Sequence, residues 1–154
     1  IPVKMRNAMN TADLVVHVGD FTSVKILEGL KKKKEKFKGV YGNADPGSVR
    51  KQLSSREVFS MVGFKIGITH PFSGGSERMA KRRAISLFKN ESIDILIYGH
   101  THDAEVTREE EFLILNPGRG YVEKDSYGPP ASYIVLTLER EARAKIEHLD
   151  GVKG

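Results

Sequence analysis

A layered α/β fold with a mixed sheet is predicted by three features of this 154-residue sequence. Short runs rich in Val, Ile and Leu recur along the chain and stop at polar residues, as buried strands do. Helical stretches separate the early runs. The later runs follow one another closely, as antiparallel strands do, so parallel and antiparallel pairing should both occur. The length suits about one domain with a substantial core.

Ala12 to Val18 is the first strand: β-branched residues dominate it, and Gly19-Asp20 ends it. Thr22 or Ser23 can cap a helix from Val24 to about Glu35. Phe37 to Tyr41 reads as a second strand closed by Gly42-Asn43, and Gly47 to Leu53 as a short helix. Glu57 to Val62 and Phe64 to Thr69 flank Gly63 as a hairpin whose second strand ends at His70. Gly74-Gly75 turns into a helix begun at Ser76 and running from Glu77 to Asn90. Ile93 to Tyr98 is a strand, followed by β segments near Glu105 to Thr107 and Glu111 to Leu115. Asn116-Pro117-Gly118 breaks the pattern, and Ala131 to Leu138 with Ala144 to Leu149 form a terminal pair.

Composition narrows the class. Hydrophobic content of 39% with 29% charged residues and six Pro is that of a globular chain, not a disordered one. No apolar run approaches the roughly 20 residues that span a bilayer, and no signal-peptide pattern opens the sequence. The expected location is the cytoplasm, without membrane contact. The absence of Cys excludes disulfides, thiolate metal sites and cysteine nucleophiles. The net charge of +5 owes much to Lys31 to Lys34, with Lys36 and Lys38 close by. Cations at a helix C-terminus complement its dipole. No aromatic residues interleave with the lysines, so a solvated face is favoured over nucleic-acid binding.

Tyr98-Gly99-His100-Thr101-His102 is the most informative segment. Two imidazoles stand one residue apart at the end of a strand, and imidazole is the commonest metal ligand. Asp20, Asn43 and His70 each stand just beyond the C-terminal end of another predicted strand. That edge of an open α/β sheet is where ligands bind. Carboxylate, amide oxygen and imidazole together suit Mn, Fe, Ni or Zn better than a purely hard cation. Taken singly, Asp20 could be a helix cap and Asn43 a turn residue. His17, inside an apolar run, reads as a core or sheet-face residue, and His148 as a surface one. Asp45 reads as a turn stabiliser or a partner of a ligand rather than a ligand.

The ordered blocks Gly19-Asp20, Gly42-Asn43-Ala44-Asp45, Thr69-His70 and Gly99-His100-Thr101-His102 resemble the calcineurin-like metallophosphoesterases. Asn116-Pro117-Gly118 is similar to their small phosphodiesterase subgroup. The likeness runs from about Ala12 to Leu138. It implies a four-layer α/β/β/α sandwich of two mixed sheets and a site for two divalent ions, Mn foremost, with Ni, Zn, Fe or Mg as alternatives. By the same resemblance, Asp20 bridges both ions, Asn43, His70 and His100 hold the second, and His102 holds the first. The implied reaction is in-line attack of activated water on a small phosphodiester. Asn43 and Arg119 are candidates for contact with the substrate phosphate. The oligomeric state is open, a homo-oligomer included.

Three positions depart from the family pattern. That pattern opens with a strand ending in an Asp-x-His block, which supplies two more ligands to the first ion. Here the sequence opens at Ile1-Pro2-Val3 without such a block, and Asp13 and His17 have the wrong spacing to replace it. Residues 1–154 therefore read as a single domain of this type lacking its first strand. A further N-terminal segment is the expectation, since that strand would be central and its loss would bare apolar edges. Ala44 stands where many members carry a His that donates a proton, and Pro71 where many have Gly. The alternative function is an interaction scaffold that kept the fold and lost catalysis, similar to the vacuolar protein sorting 29 subunit of retromer.

Overall fold

A computed structural model describes residues 3–21, 24–32, 36–71, 77–101, 103–118 and 131–149. In chain order the elements are α1 (Val3–Thr11), β1 (Val15–His17), α2 (Val24–Lys31), β2 (Phe37–Gly39) and α3 (Gly47–Arg50). Then come β3 (Arg56–Met61), β4 (Phe64–Thr69), α4 (Glu77–Leu87), β5 (Ile95–Tyr98), β6 (Glu105–Arg108), β7 (Leu113–Asn116), β8 (Ser132–Leu138) and β9 (Ala142–His148). The fold is mixed α/β, as the alternation of elements predicts.

The central sheet has five strands in the order β3-β4-β5-β7-β6. Its middle is parallel, β4 with β5 and β5 with β7, and its margins are antiparallel. All four residues of β5 and of β7 are buried, which explains why both read as continuous apolar runs rather than alternating ones. Alternation still sorts their side chains between two faces. Ile66, Ile68, Ile95, Ile97, Leu113 and Leu115 enter one cluster, against which Ile134, Leu136 and Ala144 of the β8–β9 hairpin pack. Leu96, Tyr98 and Ile114 enter the opposite cluster with Ala84 of α4 and Phe88. Gly67 makes room there: a Cβ at that position would lie 2.9 Å from the Phe88 ring.

Among the described residues, hydrogen bonding groups the strands into three sheets, where the resemblance implies two. The parallel pair β1–β2 and the antiparallel pair β8–β9 stand apart from the five-stranded sheet, yet Val16, Val18 and Val40 share its first cluster. A third cluster joins Phe21, Leu27, Leu30 and Val49 with Val15 and Phe37 of β1 and β2.

The sequence predicts no element over Val3–Thr11, where the structure has a helix. No residue of α1 is buried, so no strong apolar period marks it. Met9 packs on the third cluster, and Lys4 Nζ donates to the His148 carbonyl at 3.1 Å. Most other differences lie at boundaries: β1 begins at Val15 instead of Ala12, α3 stops at Arg50 instead of Leu53, and α4 at Leu87 instead of Asn90. The expected end of the second helix, Lys33 to Glu35, lies outside the described residues, as does the Gly74-Gly75 turn. The hairpin turn is Val62-Gly63, both with positive φ (52° and 83°), which matches the right-handed twist of its strands.

Candidate metal centre

Parallel pairing decides where the predicted ligands fall. Thr69 and Tyr98 are register partners in β4 and β5, so His70 and Gly99-His100 leave the sheet side by side. The Gly99 N–H donates to the Thr69 carbonyl at 3.1 Å and holds the two exits together. His17 pairs with Gly39, so the segments leading to Asp20 and Asn43 also emerge at one end. Asp20 and His100 turn there with φ of 60° and 88°, a left-handed conformation that costs a non-glycine residue about 1–2 kcal/mol. Strain of this kind collects at functional sites.

His70 is buried, and its Nδ1–H donates to the Val18 carbonyl at 2.7 Å. A carbonyl can only accept, so the proton is on Nδ1. Burial lowers the pKa of His70 against the attraction of Asp20, which keeps the ring neutral and leaves a lone pair on Nε2. That Nε2 stands 2.8 Å from Asn43 Oδ1 and 3.4 Å from Asp20 Oδ2. His100 Nδ1 lies 3.2 Å from the same Asn43 oxygen, with the two imidazole centroids 5.2 Å apart. Lone pairs of a carboxylate, an amide oxygen and an imidazole thus meet at one spot. Either the Asn43 amide turns its NH2 inward or a cation stands among them. This donor set fits a divalent transition ion. Among the described residues no group of three or more His, Cys, Asp or Glu is ready-made for a metal; the meeting point is an amide oxygen.

Backbone contacts aim these groups. Asp45 is buried and its Oδ2 accepts from the N–H of Asp20 (2.9 Å) and of Gly42 (2.7 Å), so it ties the two turns as a partner and not as a ligand. Asp20 Oδ1 accepts from the Ala44 N–H at 2.8 Å, which leaves Oδ2 for the rim. Gly42 has no substitute here, since a Cβ would lie 2.3 Å from Asp20 Oδ1. Arg50 donates to the carbonyls of Asp45 (3.1 Å) and Asn43 (3.0 Å) and so stitches the Asn43 turn to α3; the sequence held no signal for it. His17 is a sheet-face residue stacked on Phe21 with centroids 3.8 Å apart. His148 is exposed. His102 and Arg119 lie outside the described residues.

A second polar group that the sequence did not reveal gathers at Tyr98 and Thr101, which flank His100. Tyr98 O–H donates to Glu105 Oε1 at 2.5 Å, and Lys81 Nζ and Thr107 O–H donate to Glu105 Oε2 at 2.5 and 2.7 Å. The fully buried Asn116 donates to Thr101 Oγ1 at 2.5 Å and accepts from the Gly118 N–H at 2.9 Å. Two surface concavities of about 470 and 380 Å³ lie elsewhere, and none of the rim residues lines them.

Residues 1–141 match the family described as the calcineurin-like phosphoesterase superfamily domain. The chain is similar to a probable metallophosphoesterase of Methanocaldococcus jannaschii, 31% identical over 95% of this chain and 71% of the relative. It is also similar to a phosphodiesterase of the same organism, 26% identical over 85% of this chain and 80% of the relative. A solved Vps29 variant from Entamoeba histolytica shares the fold at a TM-score of 0.71 and 22% identity, covering 97% of this chain and 91% of that one. With the ordered blocks of the sequence and their convergence at one rim, these matches place the chain in the calcineurin-like phosphoesterase superfamily.

Proposed function

We propose that this protein hydrolyses small phosphodiesters with two divalent ions, manganese foremost. One ion is held by Asp20, Asn43, His70 and His100, and the other by Asp20 and His102. The observation that carries the reading is the meeting of Asp20 Oδ2 and Asn43 Oδ1 at His70 Nε2, with His100 Nδ1 on the same Asn43 oxygen. Divalent ions at such a site lower the pKa of water and neutralise phosphoryl charge. The protein's part is positioning. Asp45 and the Ala44 N–H orient the Asp20 carboxylate, and the Val18 carbonyl fixes the tautomer of His70. Asn43 faces the substrate phosphate from the same rim, and Arg119 is the candidate for a bidentate contact to it. Ala44 offers no proton to a departing alkoxide, so substrates with good leaving groups are favoured.

Hydrolysis of bis-p-nitrophenyl phosphate with added Mn tests the reading on the wild-type protein and on His100→Ala. The variant should lose at least about 100-fold, or roughly 2.7 kcal/mol of transition-state stabilisation. Equal rates in both would point to another active site. The second reading is an interaction scaffold, favoured by Ala44, which offers no proton donor at the rim. No turnover by the wild type with any of Mn, Ni, Zn, Fe or Mg would decide for it.

A further inference from the structure

The polar group at Tyr98 and Thr101, which flank His100, is built across three strands, β5, β6 and β7, whose register brings it together, and across α4. Glu105 of β6 is the cross-strand partner of Asn116 of β7, and Thr107 is the partner of Ile114. Ile114, Leu96 and Tyr98 share the cluster that packs on α4, so Glu105, Thr107 and Asn116 stand on that face, within reach of Lys81. Tyr98 closes the group. Its O–H donates to Glu105, while its oxygen accepts from the side chains of Asn116 and Thr101. Every polar atom of Asn116 that could anchor the loop is engaged: Oδ1 with the Gly118 N–H, and Nδ2 with the hydroxyl of Thr101, next to its carbonyl at 3.5 Å.

Burial pushes the Glu105 carboxyl up, but its donors Lys81, Tyr98 and Thr107 outweigh that and hold it below the usual range, so it is a carboxylate. A carboxylate accepts only, which obliges the Tyr98 O–H to point at Glu105. The Tyr98 oxygen then has only lone pairs to offer Thr101 and Asn116. The direction of the hydrogen bonds that meet at the Tyr98 oxygen follows from this one charge. The turn it holds, Gly99 to Thr101, carries His100 in its left-handed conformation.

We infer that Glu105 is a positioning residue for His100, acting through Tyr98, Thr101 and Asn116. It touches neither the proposed ions nor the substrate. It sets the angle at which the His100 imidazole meets Asn43, and Lys81 ties that setting to α4. The role rests on the metal-site reading only for its consequence; the ordering of the ring is a property of the metal-free chain.

The test therefore has two arms, on the wild type, Glu105→Ala, Glu105→Gln and Tyr98→Phe. In metal-free protein, imidazole nitrogen NMR reads each ring directly. The His100 signals should shift or broaden in Glu105→Ala and in Tyr98→Phe, while those of His70, held by the Val18 carbonyl, stay in place. Glu105→Gln, which keeps an oxygen for Tyr98, should restore much of the wild-type spectrum. In the second arm, calorimetric titration with Mn should give roughly tenfold weaker binding in Glu105→Ala and Tyr98→Phe, as loss of an outer partner does. Tyr98→Phe removes one oxygen and serves if Glu105→Ala does not fold. Unchanged His100 signals in a folded Tyr98→Phe or Glu105→Ala protein would overturn the inference. Perturbed His100 signals in a chain whose wild type binds no Mn would uphold the positioning and reject the metal reading instead.

Discussion

Asp20 and His70 reach the rim only because small neighbours let them approach. A Cβ at Gly42 would fall 2.3 Å from Asp20 Oδ1 and 2.5 Å from the Asp20 nitrogen, so Gly42→Ala must displace Asp20. We expect it to cost about 1–3 kcal/mol of stability by overpacking and to weaken Mn binding at least tenfold. Gly47→Ala, where nothing stands within 4 Å of the added atom, is the control that should cost no stability and leave Mn binding unchanged. His17 yields a prediction about pH. Burial lowers its pKa from 6.5 to about 4, despite Asp45 and Asp20. The unfolded chain therefore takes up this proton first. The stability due to neutral His17 is complete above about pH 6.5 and is lost as pH falls toward 4. Between pH 7 and about 4.5 that loss amounts to about 2–3 kcal/mol. In urea unfolding the wild type should lose that much more than His17→Phe over the interval. The Gly19 N–H also loses its acceptor in the variant, but at every pH alike. Equal losses in the two proteins would mean that His17 is well hydrated when folded.

At the scale of the element, the β3–β4 hairpin was legible down to its turn, because Gly63 between two alternating runs is strong local chemistry. What the sequence hid is that Val62, a β-branched residue, takes a left-handed conformation at φ 52° while 64% exposed. Asn tolerates that region and Val does not. Val62→Asn should therefore raise the urea midpoint by the equivalent of about 1 kcal/mol, with no change in the slope of the transition. A lower midpoint would show that Val62 has a packing role that its exposure conceals. Helix α1 is the opposite case. Its residues carry little apolar period and none is buried, so it owes its place to Met9 and Lys4 rather than to a pattern along the chain.

For the molecule as a whole, the donor arithmetic is unequal: four side chains for one proposed ion, two for the other. Mn titration of this 154-residue chain should show one tight equivalent and a second that is far weaker. At a free concentration 100 times its Kd, the tight ion should stabilise the fold by about 2.7 kcal/mol. For a chain of this size that raises Tm by roughly 5–10 °C, and chelation should reverse it. Two equally tight equivalents would mean that further ligands, unrecognised in the sequence, complete the first site. Among the described residues no helix is long and apolar enough to cross a membrane.

The sequence by itself determined which residues could carry the chemistry and, to within a residue or two, where each strand ends. Those are local matters: an apolar run needs burial, and Gly-Asp, Gly-Asn and Gly-His blocks stop it. It also carried the family, because four blocks in order are specific where one is not. Only the tertiary structure decided which blocks meet. His70 faces His100 because β4 and β5 are parallel and in register at Thr69 and Tyr98. Asp20 joins Asn43 because β1 and β2 pair the same way and Asp45 bonds both turns. Glu105 reaches the Tyr98 hydroxyl because β6 and β7 place it opposite Asn116. Strand order and register are set by the joint burial of side chains far apart in sequence, which no local pattern encodes.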